Sequence, residues 1–260
     1  MKTGKVLALA ALLLVGGLSL QAQEKTYKLS DFSQVDVQTK IKARLVASNE
    51  SRVVVEGSQI DNIVVKQEND RVVIRFKSTK AIGSDPVPAT VYYAAPLTYL
   101  GASGESEILA QDVLKGGNIR IDASKGAFVQ ANVTADTLRA SIAAGGQIQS
   151  GGDVTLVDVS IKTGGQFNGY ELVADHAEAT ITAGGTAYIY ATQTTKARVG
   201  MGGKVYCKGP AKVDGRTTMS HRCILYNRHF CALYQSHIQK MLAQSALSPN
   251  RKNGGSTSYL

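Results

Sequence analysis

Two groups of acidic residues in this chain have side chains suited to work on sugars: Asp153 with Asp158, and Asp175 with His176 and Glu178. β-Helical polysaccharide lyases and hydrolases set such groups along their strands. Hydrolysis of a glycosidic bond needs two carboxylates flanking it. Asp153 and Asp158 are five residues apart, so on one straight strand they point to opposite faces. Asp175 and His176 fall at an expected turn between strands, where Asp is a common turn former. No serine stands in a nucleophile-elbow context. No catalytic residue is therefore assigned, and the chain reads as not an enzyme.

Metal chemistry has one candidate. His221-x-Cys223 and His229-x-Cys231 repeat after eight residues. Structural zinc sites space paired ligands two to four residues apart, so this cluster reads as coincidental. Asp153, Asp158 and Asp175 do not form the Gly-Gly-x-Gly-x-Asp array that binds calcium in other β-solenoids. The glycine pairs lack the Gly-Lys-Ser/Thr ending of a phosphate loop. No metal or cofactor is expected. Tyr188, Tyr190 and Tyr206 remain as a candidate binding surface. Tyr188 and Tyr190 share one side of a strand, and an aromatic stripe can stack on sugars or on partner side chains. Ordinary packing between neighbouring strands explains such a stripe equally well.

The elements that must carry these residues follow from a repeat. A hydrophobic strand, a small residue and a glycine pair recur as Ile142-Ala-Ala-Gly145-Gly146, Ile161-Lys-Thr-Gly164-Gly165, Ile181-Thr-Ala-Gly184-Gly185 and Val199-Gly-Met-Gly202-Gly203. The final glycines are 19, 20 and 18 residues apart. Weaker copies end at Gly126 and at Gly104-Glu105. Apolar residues alternate before each glycine corner, as in Val157-x-Val159-x-Ile161, so one side of each strand faces inward. A unit this short cannot bury its apolar face alone and must stack on its copies. The expected fold is all-β: a short parallel β-solenoid, with the ten glycines as structural corners and an N-terminal strand region. The alternative is a β-sandwich, which also gives regular short strands.

Residues 1–22 read as a secretory signal: Lys2 and Lys5, an apolar stretch from Val6 to Leu20, then Leu20-Gln21-Ala22 before Gln23. The apolar stretch is shorter than the ~20 residues that span a membrane. No later segment is apolar enough to span, so no transmembrane segment is expected after cleavage. Residues 23–96 read as short β-branched strands, with Asn69-Asp70 as a hairpin tip and Ser78 to Ala89, carrying Pro86 and Pro88, as a loop. Residues 97–216 hold the repeats. Residues 217–260 form an atypical tail with five Lys or Arg after Met219 and no acid. The tail reads as a shifted reading frame or an unrelated fusion after about Thr218, although His229 to Leu247 has a helical apolar period. The formal charge of +9 comes mostly from this tail and the signal, so nucleic-acid binding by the body is not expected. Three cysteines, with Cys207 alone in the body, do not make a disulfide framework.

The stretch Pro96-Leu97-Thr-Tyr-Leu100-Gly-Ala-Ser103-Gly104, the stacked small-Gly-Gly corners after it, and the opening Phe32-Ser-Gln-Val-Asp-Val37 carry a resemblance. The chain resembles the autotransporter-adhesin head domain, the GIN domain, of exported Bacteroidetes proteins, over roughly residues 27–216. It departs at Lys125, at Glu105 in place of glycine, and throughout the tail. The resemblance implies an all-β, repeat-built, extracytoplasmic domain and carries over no catalytic residues. The expected function is a non-enzymatic exported binding, adhesion-like or structural module of the cell envelope, in the periplasm, on the outer-membrane surface or outside the cell. Its expected partner is a glycan or an envelope protein. The alternatives are a carbohydrate-active β-helix enzyme and a periplasmic envelope-stress or assembly factor.

Overall fold

The computed structural model describes residues 23–77, 85–217 and 223–225. The chain is an all-β solenoid of about six turns. The repeat region supplies β10 (Leu114–Ser124), β11 (Phe128–Ala143), β12 (Gln147–Thr163), β13 (Gln166–Lys208) and β14 (Lys212–Thr217). They pair in parallel and in order, β10 to β11 to β12 to β13 to β14. A sandwich of hairpins would pair antiparallel, so that alternative is excluded. β13 runs to 43 residues because its hydrogen bonding continues through two glycine corners.

Register follows the repeat. Ile121 faces Ala140, Ala140 faces Val159, and Val159 faces Ala179. All four are buried, and so is the parallel column Ala123, Ile142, Ile161 and Ile181. Mixing Ala with Ile along a column lets successive rungs approach to strand spacing without overpacking. Each rung also bends where the ladder skips one position: Gly117 opposite Asp136, Asp136 opposite Thr155, and Thr155 opposite Asp175 are left unpaired.

The N-terminal strands belong to the same stack, in an order that differs from the chain. β2 (Gln34–Gln38) pairs in parallel with both β6 (Arg71–Phe76) and β8 (Tyr99–Ser103). β3 (Ile41–Ala47) likewise pairs with β7 (Val87–Tyr93) and β9 (Glu107–Ala110). The first rung in sequence is thus enclosed between two later ones. β1 (Glu24–Lys28) and β4 (Arg52–Glu56) extend the β7 side, and β5 (Ile63–Glu68) the β6 side, all antiparallel. β5 and β6 form the expected hairpin around Asn69-Asp70, with Glu68 opposite Arg71.

The loop expected over Ser78 to Ala89 needs correction at its end. Residues 78–84 lie outside the described residues, but Val87, Pro88 and Ala89 open β7. Proline fits because Val87 N–H donates to the Lys40 carbonyl, which turns position 88 away from β3. On that other side the pairing with β4 stops at Ala89, so no ladder bond is lost. Downstream, β15 (Cys223–Leu225) pairs with Val205–Cys207, continuing the 18-residue offset into the first residues of the tail. The signal, His221, His229, Cys231 and the helical stretch lie outside the described residues.

Candidate functional site

The glycine corners are the most regular feature of the molecule, and the two members of a pair meet different demands. Gly145 has φ +78° and open space where a Cβ would lie. Gly146 has no left-handed φ, but a Cβ there would sit 2.4 Å from the Ala123 carbonyl oxygen of the rung below. In this pair the first position needs left-handed backbone and the second needs no side chain, whereas Gly165 and Gly185 meet both demands, with φ +112° and +104°. Successive corners align vertically: a Cβ on Gly164 would lie 3.9 Å from the Gly145 nitrogen, and one on Gly202 would lie 3.7 Å from the Gly184 Cα. Gly165, Gly185 and Gly203 are closed in by Ile142, Ile161 and Ile181. In the earlier rungs other residue types take up the left-handed backbone. Thr39-Lys40, Gly104-Glu105, Lys125-Gly126 and Ala144-Gly145 are all consecutive pairs of positive φ. Their backbones are bonded in sequence, Lys40 N–H to Gly104, Glu105 N–H to Lys125, and Gly126 N–H to Ala144. Glu105 and Lys125 therefore adopt the corner conformation themselves. The corner at Thr39-Lys40 contains no glycine, so the glycine repeat does not mark it.

Of the three tyrosines singled out, the structure brings two together and adds another. Tyr188 and Tyr206 stack with ring centroids 5.1 Å apart and planes 12° apart. Tyr170 meets Tyr188 edge to face at 5.0 Å. Tyr190 points to the same side of β13 as Tyr188 but stands outside this column. The Lys208 ammonium lies 4.1 Å from the Tyr170 ring centroid. A register irregularity between Gln149 and Gly151 precedes the Asn168-Gly169-Tyr170 step of the next rung. Strict period-two alternation takes no account of such a step.

The acids do not converge. Asp153 stands opposite Thr134 and Val173, whereas Asp158 stands opposite Arg139 and Glu178 beyond the skipped position. Asp175 accepts a hydrogen bond from the Thr192 hydroxyl at 2.9 Å. His176 Nδ1 lies 2.8 Å from the Thr194 hydroxyl. Glu178 is paired with Lys196 at 3.0 Å. Among the described residues no three metal-ligating side chains gather. No described helix is long and apolar enough to cross a membrane.

A polar network on the β6–β2–β8–β10 wall was not read from the sequence. Arg71 donates to Asp36 at 2.5 Å, and its guanidinium lies over the Tyr99 ring, 5.1 Å from the centroid. The Tyr99 hydroxyl donates to Asp122 at 3.2 Å, and Arg120 grips the same carboxylate. Burial, then the charges of Asp122 and Asp36, push the Tyr99 phenol up to about 12, with Arg71 opposing. Hydrogen bonding to Asp122 raises Arg120 in turn.

Stacked rungs, aligned corners and a buried aliphatic core define the molecule. The family model "Putative auto-transporter adhesin, head GIN domain" matches residues 31–211. The chain belongs to this GIN-domain family. Its fold is similar to that of a "putative adhesin" of Bacteroides fragilis, with TM-score 0.71, 17% identity, and coverage of 79% of this chain and 98% of that one. A "putative adhesin" of Parabacteroides distasonis gives 0.63 at 21% identity, covering 78% and 95%. A "putative lipid binding protein" of the same species gives 0.58 at 17% identity, covering 80% and 98%. No curated protein matches. The GIN-domain match ends at residue 211, before the composition changes.

Proposed function

We propose that this GIN-domain protein is a non-enzymatic, exported binding or adhesion-like module of the cell envelope, with a glycan or an envelope protein as its partner. The observation that carries the reading is the repetition of outward side chains in register. Gln130, Gln149 and Asn168 stand in one column, and Gln147 and Gln166 in the next. Such columns form a rigid wall of amide groups, a surface suited to a polymer or a partner wall. Family membership supports both the adhesion-like role and export. The dispersal of the acids, with Asp175 bonded to Thr192 and Glu178 to Lys196, favours this reading over a carbohydrate-active enzyme.

The test is to present the full exported chain to a panel of purified envelope glycans, purified envelope proteins and lipid vesicles. The vesicles answer the similarity to a solved protein described as lipid-binding. Saturable binding to a member of the panel without turnover is expected. Release of cleaved product from any polysaccharide would reverse the assignment.

A further inference from the structure

We propose that the wall carrying Phe128, Gln130, Gln147, Gln149, Gln166 and Asn168 binds a neutral polysaccharide; this rests on the reading of the chain as a binding module. Buried Val129, Ile148 and Phe167 sit between these residues on their strands, so all six leave the outward side. Parallel register sets them in two columns, with Phe128, Gln147 and Gln166 in one and Gln130, Gln149 and Asn168 in the other. Asparagine and glutamine stacked in this way can bond to one another along the stack. Here they do not: among the described residues the side-chain amides of Gln130, Gln147, Gln149 and Gln166 have no hydrogen-bond partner. Asn168 is engaged through its Oδ1, which accepts from the Tyr170 N–H at 3.5 Å. The half-buried Phe128 ring meets no other ring among the described residues.

The chemistry of this wall suits a neutral, hydroxyl-rich polymer. Every amide offers both donors and an acceptor, and a sugar hydroxyl answers both. None of the six positions is charged. The charged groups nearest in register stand at the margins. Glu107, opposite Phe128, is held by Lys42 at 3.3 Å, and Glu171 stands opposite Gly151, one column beyond Gln149. Glu171 is exposed, so it repels an acidic polymer, while a lone exposed acid holds a cationic one only weakly. A protein partner takes most of its binding energy from aromatic or Arg anchors in desolvated pockets, and Phe128 is the one aromatic side chain among the six. Its ring suits the apolar face of a sugar. Single amide contacts are weak, but they recur at the rung spacing of about 4.8 Å, so a ligand that itself repeats gathers several at once.

The experiment measures binding of the full exported chain to soluble β-glucan, mannan and dextran, with polygalacturonate and purified envelope proteins alongside. Saturable binding to at least one of the three neutral polymers is expected, unchanged between low and high salt. Gln147→Ala and Gln149→Ala should each weaken it about two- to tenfold. Phe128→Leu keeps an apolar side chain but removes the ring, and should weaken binding by a similar factor. Asn118→Ala and Gln193→Ala, which remove exposed amides outside these columns, should leave it unchanged. Binding that Gln147→Ala and Gln149→Ala both leave intact would overturn the proposal, as would equal losses from Asn118→Ala and Gln193→Ala. Binding to polygalacturonate alone, or to an envelope protein alone, would overturn it while leaving the binding-module reading intact. Binding to nothing in the set would overturn both. Melting curves guard against misfolding, and the two glutamine variants carry the test if Phe128→Leu melts early.

Discussion

The Tyr99 hydroxyl donates to Asp122 on the next rung at 3.2 Å, and it reaches there because Gly101 leaves the intervening surface bare. A Cβ on Gly101 would lie 2.6 Å from that hydroxyl oxygen. The phenol is thereby half buried among Asp122, Asp36 and Arg71 and titrates at about 12 rather than 10.

A raised acid holds its proton more firmly when folded. Its contribution to stability is fully present below pH 10 and is lost as pH rises from 10 toward 12. Urea denaturation across this window should show the wild type losing stability more steeply than Tyr99→Phe. Phenolate absorbance should show a late-titrating tyrosine that is lost in that variant, while Tyr93, raised by burial and by Asp112, remains. Parallel pH profiles for the two proteins would refute the assignment.

The two glycines of a corner should respond unequally to alanine. Gly145→Ala has room for its methyl and bears only left-handed strain, about 1 kcal/mol. Gly146→Ala drives a methyl against the Ala123 carbonyl and should cost about 3 kcal/mol or more. Chemical denaturation of the two variants measures the difference.

The reverse change is expected to help where a side chain now occupies the corner. Lys125 has φ +53° and is exposed, with Gly126 after it. Lys125→Gly should raise stability by about 0.5 kcal/mol, since relief of left-handed strain exceeds the entropy that glycine adds to the unfolded chain. A lowered melting temperature would contradict this.

Thr195 is fully buried, and its hydroxyl has no hydrogen-bond partner among the described residues. It follows the column that runs Ile119, Leu138, Val157 and Ala177 through the earlier rungs. Thr195→Val keeps the shape and removes an unsatisfied polar atom, so a gain of about 1 kcal/mol is expected. Thermal unfolding monitored by circular dichroism reads it.

Much of this architecture was written in the residues themselves. Period-two alternation before each glycine pair, with Ala, Val and Ile inside, specifies strands that turn at fixed intervals and must stack, because each unit is too small to bury its own face. The corner at Gly145-Gly146 was legible because only glycine meets its second demand. The corner at Thr39-Lys40 was not, since its conformation is imposed by hydrogen bonds that its own N–H groups donate to the carbonyls of Ser103 and Gly104, more than sixty residues downstream. The same holds for the order of rungs. A strand such as β2 has two equivalent edges, and nothing in Val35-Asp36-Val37 states that β6 will take one and β8 the other. The choice belongs to long-range pairing, where burial of Val35 and Val37 among neighbours from both sides is decided by the whole stack. The tyrosine column divides in the same way. Alternation alone put Tyr188 and Tyr190 on one side, while the packing of successive rungs aligned Tyr170 with Tyr188 and Tyr206.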